Sequence, residues 1–245
     1  VKLRWGGAWG SLGNCLPQLS HYRVLPVTVL LSLLPLAQAQ DSPSPTGKSG
    51  SQETEFGLRR GTNEYGAWAG YSPRSFTIEG QSEDRQLFLL NLQYARTLFS
   101  TRPVTLKYTA EMVPVALEIQ PTQVYNYTAI PLINPAGTIY AAGASPVGFQ
   151  GNFGHRRIQP FSQGSVGFLY FTRQVPVIGS SQFNYTVSIG FGAQFFPRSG
   201  RSFTLAWKYF HLSNNYQARF NPGIDSGVIY VGVSILRGKQ SALGH

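Results

Sequence analysis

The stretch FNYTVSIGFGAQF, Phe183 to Phe195, decides how this chain is read. Its odd positions are Phe183, Tyr185, Val187, Ile189, Phe191, Ala193 and Phe195, all apolar or aromatic. Its even positions are Asn184, Thr186, Ser188, Gly190, Gly192 and Gln194, all polar or small. A period of two is the signature of a β-strand with unlike faces. Thirteen residues is long for a strand in a soluble sheet and comfortable for a tilted strand that crosses a membrane. Small polar residues on the other face suit a narrow lumen.

The same pattern recurs on either side. Phe88, Leu90, Leu92 and Tyr94 alternate with Leu89, Asn91, Gln93 and Ala95. Val104, Leu106, Tyr108, Ala110 and Met112 alternate with Thr105, Lys107, Thr109 and Glu111. Eight strands are expected, at about 57–71, 85–99, 103–118, 138–153, 156–171, 182–196, 202–214 and 225–236. Turn residues such as Ser72-Pro73, Arg102-Pro103 and Asn221-Pro222-Gly223 separate them. An even number of antiparallel strands can close into a barrel and leave no open edge in lipid. The expected fold is therefore all-β, an eight-stranded antiparallel transmembrane barrel over 55–236, with 119–137 as its longest irregular loop.

Composition agrees. Charged residues make up 12% of the chain, against 27 Gly, 16 Phe and 13 Tyr. That profile suits strands with aromatic anchors better than a helical enzyme. The run Leu25 to Leu36 follows Arg23 and ends in Ala37-Gln38-Ala39. It contains Pro26 and Pro35 and is too short to span a bilayer, so 1–39 reads as a prefix plus secretory signal, cut after Ala39. Residues 40–54, rich in Ser, Pro, Gly, Gln and Thr, read as a disordered leader, and 237–245 as a tail. Cys15 is the sole cysteine and precedes the cut, so neither a disulfide nor a thiolate metal site is expected. The net charge of +10 is spread along the chain, with Arg59-Arg60 and Arg156-Arg157 as its only basic doublets. Nucleic-acid binding asks for a clustered basic patch and is not expected. Basic strand ends suit anionic lipid or lipopolysaccharide.

One constellation carries chemistry. In the seventh strand Phe203, Leu205, Trp207 and Tyr209 share a face, and His211 and Ser213 continue it. Thr204, Ala206 and Lys208 suit the lumen, so the His-Ser pair is expected to face lipid. Two residues apart on a strand, the pair is separated by about 6–7 Å at Cα. A hairpin centred near Ala218 pairs position 211 with 225, placing Asp225 opposite His211. Serine is a weak nucleophile until a neighbouring imidazole accepts its proton, and a carboxylate fixes that imidazole's tautomer. Asn214, next in sequence, has an amide that could support an oxyanion. An isolated His-x-Ser is usually inert surface decoration. Three such groups on a face that should show only apolar side chains are another matter, because ionisable groups there are costly unless functional or interfacial.

Phe210-His211-Leu212-Ser213-Asn214 followed by Asn221-Pro222-Gly223-Ile224-Asp225 resembles the signature of the lipid A 3-O-deacylases, also called acyloxyacyl hydrolases. The resemblance is sharpest over 200–236 and extends loosely back to about residue 60. It implies a bacterial outer-membrane esterase that removes a 3-hydroxyacyl chain from lipid A of lipopolysaccharide. It also implies Ser213 as nucleophile, His211 as base, Asp225 as acid and Asn214 at the oxyanion, with no cofactor or metal. The acid is Asp where the family pattern has Glu, and Asn215-Tyr216 stands where the family often has Ala-Gly. The chain also does not end on the aromatic residue common to such barrels. The expected partners are lipid A and outer-membrane lipid, with a homodimer open. Rival readings are an inert structural or adhesin-like barrel, an acyltransferase acting on the same lipid, and a narrow pore.

Overall fold

The computed structural model describes residues 58–125, 131–198 and 200–238. The segments expected to be a secretory signal and a leader, and most of the C-terminal tail, lie outside the described residues. Eight long strands form one sheet: β1 (Asn63–Ser72), β2 (Gln86–Ser100), β3 (Val104–Gln120), β4 (Gly137–Phe153), β5 (Ile158–Val175), β6 (Ser181–Arg198), β7 (Arg201–Ser213) and β8 (Ile224–Arg237). Each pairs antiparallel with its sequence neighbours, and β1 also pairs with β8, from Asn63↔Arg237 to Tyr71↔Ile229. That last pairing closes the barrel.

The alternation seen in sequence sets its two faces. Phe191, Leu205, Ile229 and Val231 are about 60% exposed on the outside. Lys107, Gln194, Ser202 and Lys208 are almost wholly buried within. An apolar exterior and a polar interior are what a lipid solvent selects. The lumen is filled by ion pairs rather than left as a channel. Lys107 Nζ lies 2.9 Å from Glu64, Lys208 Nζ 3.5 Å from Glu111, and Arg85 2.5 Å from Glu118. A narrow pore is not the reading this interior supports. Small residues let neighbouring strands crowd their inward faces: a Cβ at Gly192 on β6 would sit 2.3 Å from that of Ala206, its register partner on β7.

The two rims differ. The β2–β3, β4–β5 and β6–β7 connections are short, while those after β1, β3 and β7 are long. Short turns mark the periplasmic side of such barrels and longer loops the extracellular side. Two expectations are corrected. The first strand starts at Asn63 rather than 57, because Gly61 has φ +85° and Thr62 N–H turns back to Arg59 O. The 119–137 segment is not simply irregular: β3 runs on to Gln120, and Gln123–Tyr125 pairs with Leu132–Asn134 as a ribbon. Gln120 Nε2 donates to Pro135 O and ties the base of that ribbon.

Candidate active site

The β7–β8 register places Asp225 directly opposite His211 and Gly227 opposite Tyr209, as the hairpin sum requires. His211 Nδ1 donates to Asp225 Oδ1 at 2.6 Å. That fixes the tautomer and leaves Nε2 turned away from the carboxylate. Ser213 is the last residue of β7 and half-buried, two positions on along the same face. No hydrogen bond joins its hydroxyl to the imidazole among the described residues. Such contacts often tighten only when substrate is bound.

Behind this face the lumen carries an apolar patch beside the buried Arg85–Glu118 pair. Phe210 and Leu212, the inward neighbours of His211 and Ser213, pack in one cluster with Leu89, Phe171 and Val228. The end of β7 that carries the candidate nucleophile and base is thus backed by close-packed side chains, which hold it in one conformation.

Asp225 lies on the outward face opposite His211, yet it is fully buried. The cover is the β1–β2 connection. Ser75–Phe76 adds a short strand to β8, pairing Phe76 with Asp225. Past Thr77, the backbone N–H groups of Ile78, Glu79 and Gly80 all donate to Asp225 Oδ2 at 2.8 Å. Tyr209 Oη donates to Oδ1 at 2.7 Å, beside the imidazole. Five donors therefore surround one carboxylate. This is how a buried, outward-pointing Asp is tolerated: every lone-pair direction is used, and the charge is shared over fixed dipoles. Gly80 is needed for the approach, because a Cβ there would lie 2.9 Å from backbone atoms of Gly223 and Ile224.

Neither Tyr209 nor the 78–80 segment was singled out from sequence. Tyr209 shares the His211 face, so parity carried the signal. The backbone donors sit 145 to 147 residues away from Asp225 in sequence, in an irregular segment, and no pattern marks them. The Tyr209 ring also stacks on the imidazole, with centroids 6.5 Å apart and planes 20° apart.

Asn214 is more engaged than its sequence role requires. It is fully buried, its N–H donates to Asn221 Oδ1 at 2.9 Å, and its Nδ2 donates to Phe220 O at 2.8 Å. One Nδ2 hydrogen is left over. Gln217 N–H returns to Asn214 O, and Asn215 and Tyr216 have φ of 50° and 58°. Positive φ at both central residues makes this a tight turn immediately after Ser213.

Comparison with known proteins bears on this geometry. A family model described as lipid A 3-O-deacylase (PagL) matches residues 93–234, more than half of the chain. A crystal structure of the outer membrane enzyme PagL superposes with a TM-score of 0.52 at 19% identity, covering 68% of this chain and 97% of that one. Neisserial surface protein A aligns with a TM-score of 0.46 at 10% identity, covering 72% and 99%. No curated protein sequence matches the chain significantly.

Proposed function

The chain belongs to the lipid A 3-O-deacylase (PagL) family of the bacterial outer membrane, and from that premise we propose that it hydrolyses an ester-linked 3-hydroxyacyl chain of lipid A with Ser213, His211 and Asp225. The observation that carries the reading is the 2.6 Å His211–Asp225 contact on the outward face, with Ser213 two residues on. A bilayer-facing site lets a lipid substrate reach the serine without leaving the membrane. The acyl chain would lie along Leu205 and Trp207, below the site on β7.

In the proposed reaction Ser213 Oγ attacks the ester carbonyl while its proton passes to His211 Nε2. Asp225 holds the ring and stabilises the imidazolium that forms. The same proton goes to the departing sugar oxygen as the C–O bond breaks, which leaves an acyl-serine and a free sugar hydroxyl. Water then attacks the acyl-serine, again giving its proton to His211, and releases the 3-hydroxy fatty acid with Ser213 restored. The oxyanion would take the remaining Nδ2 hydrogen of Asn214 and backbone N–H groups of the turn that follows. No cofactor enters this scheme.

The test is mass spectrometry of lipid A incubated with purified, folded protein. Wild type should release free 3-hydroxy fatty acid, and Ser213→Ala should lower the rate roughly a thousandfold or more. Equal release by the two proteins would overturn the reading. Appearance of the acyl chain on a second lipid instead of in water would make the protein a transferase.

A further inference from the structure

The structure assigns the periplasmic rim as a binding surface for anionic phospholipid headgroups. Arginines occupy nearly every element that meets this rim. Arg59 and Arg60 precede β1, Arg102 stands in the β2–β3 turn, and Arg156 and Arg157 stand in the β4–β5 turn. Arg201 opens β7 and Arg237 closes β8. Arg96, on β2, faces outward nearby and pairs in register with Asn63. All eight are exposed, and among the described residues no exposed acidic side chain lies at this end. The one carboxylate near it, Glu64, is buried and held by Lys107.

The opposite rim shows that this is not a general property of the surface. There the exposed cations Arg74, Arg173 and Arg219 are matched by Glu79, Glu83 and Asp84. Arg74 pairs with Asp84 directly, at 2.5 Å.

The arginines are also arranged for a headgroup. Arg59, Arg60 and Arg102, with Ser100, Thr101 and His155, line an open depression of about 350 Å³. The imidazole of His155 donates to Thr101 O at 2.6 Å and ties the β4–β5 turn to the β2–β3 turn across it. Just above, Tyr65 and Tyr94 pack against each other at 5.5 Å on the outer face, and Phe203 is half exposed. Aromatic side chains of this kind settle at the level where lipid tails meet headgroups. The arginines below them then fall at the depth of the phosphates, and a guanidinium fork matches a phosphate with two hydrogen bonds. A continuous ring would hold the barrel at one depth from every side.

The experiment uses the full folded chain in mild detergent, with bound lipids counted by native mass spectrometry. Phosphatidylglycerol should be retained in preference to phosphatidylcholine. In the variant Arg59→Gln/Arg60→Gln/Arg102→Gln/Arg156→Gln that preference should fall roughly tenfold or more. The control Arg74→Gln/Arg173→Gln/Arg219→Gln should keep it. Should the rim variant not fold, the wild-type preference must still weaken as sodium chloride rises from about 50 to about 500 mM. Equal retention of the two lipids, or a preference unchanged in the rim variant, overturns the proposal. So does full competition by glycerol 3-phosphate, which would make the rim a site for soluble anions, or binding to isolated peptidoglycan without any lipid preference.

Discussion

Lys208 and His211 stand three residues apart on strand β7, and each meets a carboxylate in a hydrogen-bonded cluster. An odd spacing puts them on opposite faces of the sheet. Lys208 points into the lumen, where it reaches Glu111 and lies 4.0 Å from the centre of the Trp68 ring. Trp68 Nε1 donates to the same Glu111. His211 points outward to Asp225. Both carboxylates are enclosed, so burial of charge does not separate the two clusters. Access does: the Lys208 side chain is 2% exposed and that of His211 is 20%. The lumen pair has every direction filled by protein and can only hold strands together. The outer pair leaves the second ring nitrogen on a partly exposed side chain, and that makes it a candidate for chemistry.

The comparison is broken most directly by crossing activity with stability. His211→Ala should lower deacylation roughly a thousandfold or more, with little change in the urea unfolding midpoint. Asp225 would still hold its donors from Tyr209 and the 78–80 backbone. Lys208→Met should do the reverse. It strands Glu111 in the lumen with Trp68 as its remaining donor, which should destabilise the barrel by about 3–5 kcal/mol. Deacylation per folded molecule should stay within twofold of wild type. If Lys208→Met abolishes turnover in folded protein, the division between holding and reacting faces is wrong.

A smaller effect sharpens the outer cluster. Tyr209→Phe removes one of the two donors on Asp225 Oδ1 and keeps the ring against the imidazole. The carboxylate then holds the ring less firmly, which should lower kcat about tenfold, in line with about 1.5 kcal/mol for a hydrogen bond to a charged group. KM should move less than twofold, because the phenol touches the carboxylate and not the substrate. A change confined to KM would place Tyr209 in substrate binding instead.

Much of this cluster is legible in the sequence. Strand parity put Phe203, Leu205, His211 and Ser213 on one face, and the constant sum of a bulge-free hairpin put Asp225 opposite His211. Both inferences work because a strand has a fixed period and its partner is local. The burial of Asp225 was not legible, for the opposite reason. The residues that bury it come from the β1–β2 connection, where no periodicity operates and pairing is set by tertiary contact. The three lumen ion pairs were likewise not legible, because their members are scattered polar residues far apart in the chain. Which cation meets which anion depends on the stagger of the closed barrel.

The least effect concerns the turn after Ser213, where sequence and geometry meet once more. Tyr216 has φ 58°, a conformation that costs a residue with a Cβ about 1–2 kcal/mol and costs glycine almost nothing. It is 70% exposed, so its removal uncovers little buried surface. Tyr216→Gly should therefore leave stability unchanged or raise it by up to about 1 kcal/mol, since the relief of strain is partly offset by the greater freedom of glycine in the unfolded chain. The family resemblance gains a physical basis here, because a glycine is common where the backbone needs positive φ. The measurement that matters is activity beside stability. If Tyr216→Gly is more stable and equally active, the tyrosine is incidental to the turn. If it is more stable but slower, the strained side chain contributes to holding lipid A over Ser213, and the open side of β7 extends past the strand into the turn.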